Sequence, residues 1–347
     1  MKEFLKSLCE AVGPSGREME PIGIWRDYVS RFAEVKVDVH GNAIGILNPG
    51  SKVRVMISGH IDEIGFMIRY IDKDGFLYFS PIGGIDPNLV PGQRVKIRTR
   101  QGVVKGVIGK KPIHLMEREE LQKCAKMDTL FIDIGVRDKE SAQKLVEIGD
   151  VAVPWVEFWE MGEHVVSKAL DDRSGAYVVA RVLELLKDRE LNVSVYGVAT
   201  VQEEIGLRGA KTSAFGIDPT IGIAVDVTFA SDHPGVDEKK VGEIKLGSGP
   251  VIARGPNISP KLFERVREIA KQNQIPFQIE AIPRATGTDA NPIQVTRSGV
   301  VAGLVSIPLR YMHTPVEMAN FTDIENTAML LAEFISALSG KEDWTAW

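Results

Sequence analysis

The sequence predicts an α/β fold: a mixed, mostly parallel sheet flanked by helices, interrupted by an inserted β-rich segment. Three observations predict it. Short apolar runs at 53–58, 193–201, 221–225 and 300–307 have the look of strands buried on both faces. Helical spacing of apolar residues fills the stretches around them. From about 68 to 160 the texture changes to period-two alternation, punctuated by glycine and proline.

In chain order, residues 2–11 and 17–33 predict helices, the second with Ile22, Ile24, Trp25, Tyr28, Val29 and Phe32 on one broad stripe. Gly13-Pro14-Ser15-Gly16 between them is a turn. Short strands follow at 35–39 and 42–47, then the run 53–58, which leads straight into Gly59-His60. Within the inserted segment, 95–100 and 103–108 alternate around Gln101-Gly102 and predict a hairpin; a short helix is expected at 139–148. After Lys168, Asp171-Asp172 opens a helix carrying Tyr177, Val178, Val182, Leu183 and Leu186. Ser259-Pro260 supplies an N-cap and first-turn proline for a helix to about Gln272. Thr322-Asp323-Ile324-Glu325 predicts a capping box for the last helix, and Gly340 its end.

A chain of 347 residues favours two domains, 1–68 with 161–347 and the insertion 69–160. A formal charge of -5, with basic residues interleaved among acids, gives no reason to expect nucleic acid or an anionic membrane as partner. No apolar stretch of about 18 residues predicts a membrane span. Cys9 and Cys124 form neither a disulfide framework nor a zinc spacing. The first ten residues carry acids and lack a signal-peptide core, so a cytoplasmic location is expected.

In an open α/β sheet, ligands gather beyond the carboxyl ends of the strands. By that rule, 53–58 delivers His60, 193–201 delivers Glu203 and Glu204, 221–225 delivers Asp226, and 300–307 runs out towards His313; Asp171 and Asp172 stand at a helix start. Each has an ordinary reading alone: a hydrogen-bonded histidine, an N-cap, a loop acid, a solvated pair. Together, imidazoles and carboxylates make a donor set suited to zinc, cobalt or manganese. Two such ions, about 3.5–4 Å apart, clamp both oxygens of a hydrolysis.

Gly59-His60-Ile61-Asp62-Glu63-Ile64-Gly65, Leu170-Asp171-Asp172-Arg173-Ser174-Gly175, Gln202-Glu203-Glu204-Ile205-Gly206, Val225-Asp226 and Tyr311-Met312-His313-Thr314-Pro315 closely resemble motifs of the M42 metalloaminopeptidases. That family includes the TET and glutamyl aminopeptidases and proteins once labelled endoglucanase M. The resemblance covers essentially the whole chain, in the family's order. It implies a zinc-peptidase-like sheet and an aminopeptidase acting on peptides with a free N-terminus. It also implies two divalent ions per subunit, zinc first and cobalt or manganese as alternatives. The metal ligands fall on His60, Asp171, Glu204, Asp226 and His313. Asp171 matches the bridging residue, His60 and Asp226 share one ion, and Glu204 and His313 share the other. Glu203 matches the general base, and Asp62 the carboxylate that orients the ring of His60. Neighbouring side chains on an extended backbone point oppositely, which would let Glu204 hold metal while Glu203 faces substrate. The insertion matches the family's dimerisation domain, PDZ-like or barrel-like, and the resemblance implies dimers joined into a tetrahedral dodecamer. Arg208, Thr288 and Asp289 are candidates for the pocket wall; His40, His114, His164 and His233 match no ligand position. The alternatives are a glycosidase, which would leave the histidines unexplained, and a dinuclear carboxypeptidase or dipeptidase.

Overall fold

In a computed structural model, which describes residues 1–121 and 123–345, the strands gather into an 11-stranded mixed sheet and a closed barrel. The central strands of the sheet, in spatial order Ser194–Thr200, Arg54–His60, Ile221–Phe229 and Val301–Arg310, run parallel. They are buried almost throughout, which is why their sequences read as unbroken apolar runs. Antiparallel strands extend the sheet at both sides. Ala43–Leu47 and Glu34–Val37 lie beyond Ser194–Thr200, and Glu317–Asn320, His164–Ser167 and Trp159–Met161 lie beyond Val301–Arg310.

The helix Leu170–Leu186 lies against the central strands and buries Tyr177, Val178, Val179, Val182, Leu183 and Leu186. Its first turn comes unusually close to the strand Arg54–His60. A Cβ on Gly59 would stand 2.4 Å from the Gly175 carbonyl carbon, so only a residue without a side chain fits there. That contact sets Asp171 and Asp172 beside His60.

Gly65–Ile71, Leu77–Ile82, Phe131–Asp133, Gly102–Ile108, Arg94–Thr99 and Val151–Pro154 close the barrel. It has its own core, with Phe66, Ile68, Leu77, Phe79, Val95, Ile97 and Ile132 buried together, separate from the core of the large sheet. The expected hairpin is present, Thr99 facing Gly102 across its turn. No helix among the described residues is long and apolar enough to cross a membrane.

The structure departs from the local patterns at three places. The helix expected over 139–148 is only Lys139–Gln143. Gly149, at φ +93°, and the Asp150 carboxylate, which accepts the Glu147 amide, turn the chain into the barrel strand Val151–Pro154. The last helix, Phe321–Ser336, is capped by Asn320, whose side chain accepts from the Thr322 amide. With Asn320 as the cap, Asp323 and not Glu325 is the third helical residue, so the box is out of register; Glu325 bonds the Tyr177 hydroxyl and Arg181. The helix stops at Ser336, before Gly340.

Candidate active site

The parallel strands deliver their residues to one edge. His60 is the last residue of Arg54–His60, Asp226 lies inside Ile221–Phe229 opposite Ser306, and His313 follows Val301–Arg310 by a few residues. Asp226 therefore belongs to a strand and does not begin a loop. Glu203 and Glu204 follow Ser194–Thr200 on a turn, not on extended backbone: the Glu203 carbonyl accepts from the amides of both Gly206 and Leu207. The simple alternation expected of the pair does not apply, and the turn itself separates their directions.

Asp171 is the centre of the arrangement. Its Oδ1 lies 3.0 Å from His60 Nε2 and its Oδ2 lies 3.2 Å from His313 Nε2, so one carboxylate faces an imidazole on either side. Glu204 Oε1 stands 3.3 Å from His313 Nε2, and Glu203 Oε2 stands 3.9 Å from His60 Nε2. Donor atoms of His60, Asp171 and Glu204 all fall within 4.8 Å of one another, as do those of His60, Asp172 and Asp226. Asp172 is close enough to compete with Asp171, but its oxygens already accept the backbone amides of His60 and Gly175. Its role is to hold the strand end against the helix. The peptide bond joining the two aspartates is cis.

Both histidines turn Nε2 towards the acids. His313 Nδ1 lies 2.8 Å from the Gly84 carbonyl, which can only accept, so Nδ1 carries a proton and Nε2, turned to Asp171 and Glu204, is the nitrogen that would exchange its proton for a cation. His60 Nδ1 faces Asp62 Oδ1 at 3.5 Å, an ion-pair distance longer than an ordinary hydrogen bond. The closer contacts of Asp62 go elsewhere: Ser15 Oγ at 2.6 Å and the amides of Glu203 and Glu204 at 3.0 and 3.1 Å.

Three buried acids that the sequence reading left out or set aside complete the surroundings. Glu317 accepts the Asp171 amide with one oxygen and the His313 amide with the other, fixing both backbones. Asp289 accepts from the Thr200 hydroxyl beneath the cluster. Glu63 is held by Lys168 at 2.6 Å and Arg173 at 3.1 Å, while Arg173 also donates to the carbonyls of Ile61, Leu8 and Gly13. That knot pins residues 60–63 to the N-terminal helix Lys2–Glu10. Breaking one partner of such a buried pair costs about 3–5 kcal/mol. Glu317 follows His313 by four residues and Glu63 falls within a quoted motif, but nothing in their spacing marks them.

A cleft of about 510 Å³ opens over the cluster, lined by His60, Asp171, Glu203, Glu204, Asp226 and His313, with Leu207, Phe229, Thr286, Thr288 and Met312 on its walls. Of the three wall candidates, Thr288 lines it, Asp289 accepts from Thr200 and does not line it, and Arg208, the first residue of the helix Arg208–Ile217, does not line it either. His40, His114, His164 and His233 join no His/carboxylate cluster among the described residues.

Burial and mutual repulsion make this an unfavourable place for so many anions. Burial, with Asp226, Asp289 and Glu204 nearby, pushes the Glu203 carboxyl up to about 10, against the pull of His60. Burial, reinforced by Asp171, pushes Asp226 to about 8. Hydrogen bonds to Asp171 and Glu204 raise His313 to about 11. Asp171 is held low: burial opposes its charge, but the two imidazoles outweigh it. The donor set therefore fits divalent cations, which would replace protons as the neutralising charge.

A pH dependence follows. Glu203, Asp226 and His313 bind protons more tightly folded than unfolded, so the cation-free chain takes up protons on folding. Its stability falls as pH rises from about 5 towards 8. Asp171 and Asp62, both held low, act only in acid. Thermal unfolding of chelated protein should show a lower midpoint at pH 8 than at pH 6, and zinc should abolish the difference. A chelated midpoint that rises with pH contradicts this electrostatic picture.

Comparison with known proteins agrees with the geometry. Residues 41–330 match the profile of the M42 glutamyl aminopeptidase family. A lysyl aminopeptidase of Pyrococcus furiosus is 41% identical over 345 residues, covering 97% of each chain. The crystal structure of a TET aminopeptidase from a marine sediment Thaumarchaeota archaeon superposes with a TM-score of 0.92 at 38% identity, covering 97% of this chain and 96% of that one. The TET1 peptidase of Pyrococcus horikoshii, which can assemble into a tetrahedron or a large octahedral shell, gives 0.88 at 34% identity, covering 97% and 99%. With a family match over most of its length and a relative similar from end to end, the chain belongs to the metal-dependent M42 aminopeptidases and is a peptide hydrolase.

Proposed function

We propose that the chain removes single residues from the free N-terminus of peptides, using two divalent ions held by His60, Asp171, Glu204, Asp226 and His313. The observation that carries this reading is the Asp171 carboxylate, which offers one oxygen to the side of His60 and the other to the side of His313. Asp171 would bridge, with His60 and Asp226 on one ion and Glu204 and His313 on the other. Borderline imidazole and carboxylate donors suit zinc first, then cobalt or manganese. Such ions would supply Lewis-acid polarisation of the scissile carbonyl and a water acidic enough to attack near neutral pH.

The chain's own residues do the rest. Glu203 takes the proton from the attacking water and delivers it to the departing amine. Asp62 orients His60 and holds the amides of the Glu203-Glu204 turn. A free α-amino group could ligate an ion or pair with a carboxylate of the cleft, which would restrict removal to the N-terminus.

We further propose that residues 69–160 form a dimerisation domain and that dimers build a tetrahedral dodecamer. Val103, Val107, Ile113 and Leu115 leave apolar surface exposed in this segment, as an interface would. The Pyrococcus horikoshii relative supplies the precedent.

The direct test is a panel of aminoacyl anilides, each with a free or an acetylated amino group, assayed on chelated enzyme reloaded with zinc, cobalt or manganese in turn. Free-amine substrates should be cleaved and acetylated ones left intact. Cleavage of acetylated substrates, or release of residues from the C-terminus of peptides, overturns the proposal.

A further inference from the structure

The N-terminal turn reaches the segments that carry the catalytic cluster. Pro14 pairs with Glu63 in an isolated parallel bridge, the Ser15 amide donates to the Glu63 carbonyl at 3.3 Å, and the Glu63 amide donates to the Gly13 carbonyl at 3.2 Å. The segment is thereby laid along the residues that follow His60. Two of its side chains, both buried, continue inward. Ser15 Oγ donates to Asp62 Oδ2 at 2.6 Å. Glu18 Oε1 accepts the Gly16 amide at 2.6 Å and the Gln202 amide at 3.2 Å.

Gln202 is the residue before Glu203, and it sits at φ +57°, in the left-handed region that non-glycine residues seldom occupy. Such a conformation persists only where its surroundings hold it. Among those surroundings are the Arg208 amide, which donates to the Gln202 carbonyl at 3.2 Å, and Glu18, which accepts from the Gln202 amide. Just beyond, Asp62 takes the next two amides, and Ser15 steadies Asp62. Three consecutive amides, 202 to 204, thus end on two carboxylates, one from the N-terminal turn and one braced by it. Burial, with Asp62 adding repulsion, pushes the Glu18 carboxyl up to about 7. What the position uses is an oxygen that accepts two amides, not the charge that burial disfavours.

We propose that Glu18 is a positioning residue for the reaction: through the Gln202 amide it holds the turn that presents Glu203 to the cleft, while Ser15 acts on the same turn through Asp62. The inference rests on the reading of Glu203 as the base. Neither side chain lines the cleft, so their removal should act on turnover without changing substrate affinity.

The test compares Glu18→Ala, Glu18→Gln and Ser15→Ala in the full-length, metal-loaded enzyme, measuring kcat, KM and metal per subunit. Displacing a catalytic group by an ångström can cost about a hundredfold in rate. Glu18→Ala should therefore lower kcat between about tenfold and a hundredfold, with KM within about twofold and metal content unchanged. Glu18→Gln keeps an oxygen that can accept both amides and should recover most of the lost rate, which a purely charge-based role would not allow. Ser15→Ala should lower kcat in the same manner but less, and it decides the matter if Glu18→Ala does not fold. Unchanged kcat in both alanine variants, or a loss that tracks missing metal, overturns the inference. If Glu203→Gln is inactive while Glu18→Ala is normal, only this inference fails; if Glu203→Gln retains turnover, the reading of the base fails first.

Discussion

Glu203→Gln should lose nearly all turnover while keeping its metal. The substitution preserves size and the turn's backbone, because the Glu203 amide remains on Asp62 and its carbonyl still accepts from Gly206 and Leu207. What it removes is the capacity to accept a proton. Positioned acid–base groups contribute about a hundred- to ten-thousand-fold in rate, and a loss in that range is expected. Glu203 stands 3.9 Å from His60 and is absent from both close donor groups. Elemental analysis should therefore find the wild-type metal content. Turnover within a few-fold of wild type would sink the base assignment, and concurrent loss of metal would recast Glu203 as a ligand.

Asp171→Ala should fail differently, by emptying the site. Among the described residues no other acid lies within 4.0 Å of both imidazoles, so its removal should leave two half-sites: His60 with Asp226, and His313 with Glu204. Partners that merely orient a ligand are worth about 10–100-fold in metal affinity, and losing a shared ligand should exceed that on both sides. The fold should survive, since the amide of residue 171 still reaches Glu317 and Asp172 still ties the helix to the strand. The expected result is a folded, inactive protein with little bound metal at micromolar concentrations. Two ions per subunit in this variant would contradict the bridging role.

Much of this arrangement could be read from the sequence because parallel strands advertise themselves. Unbroken apolar runs fixed where His60, Asp226 and His313 would emerge, and strand polarity put them at one edge. The glutamate pair was legible as a member of that edge, though the division of labour within it came from family resemblance. The turn that separates the two was invisible, since it depends on Gln202 adopting a left-handed conformation supported from residues 18 and 62. Glu317 and Glu18 escaped for the same reason: each serves backbone amides from distant segments, and no periodicity records that. Gly13-Pro14-Ser15-Gly16 looked like a plain connector between helices. The capping box at 322–325 shows the converse error, a sound local pattern put out of register because the chain enters the helix two residues earlier, at Asn320.

The hydrogen bond from His313 to Gly84 has a wider meaning. Gly84 lies just past the barrel strand Leu77–Ile82, whereas the other candidate ligands depend on the large sheet and its helices. The barrel is therefore no detachable accessory. A chain pared down to the large sheet would keep every candidate ligand in its sequence, yet leave one imidazole free to swing. A tilt of the barrel would bear on that ring, so the segment proposed to join copies of the chain would also touch the chemistry proposed within each.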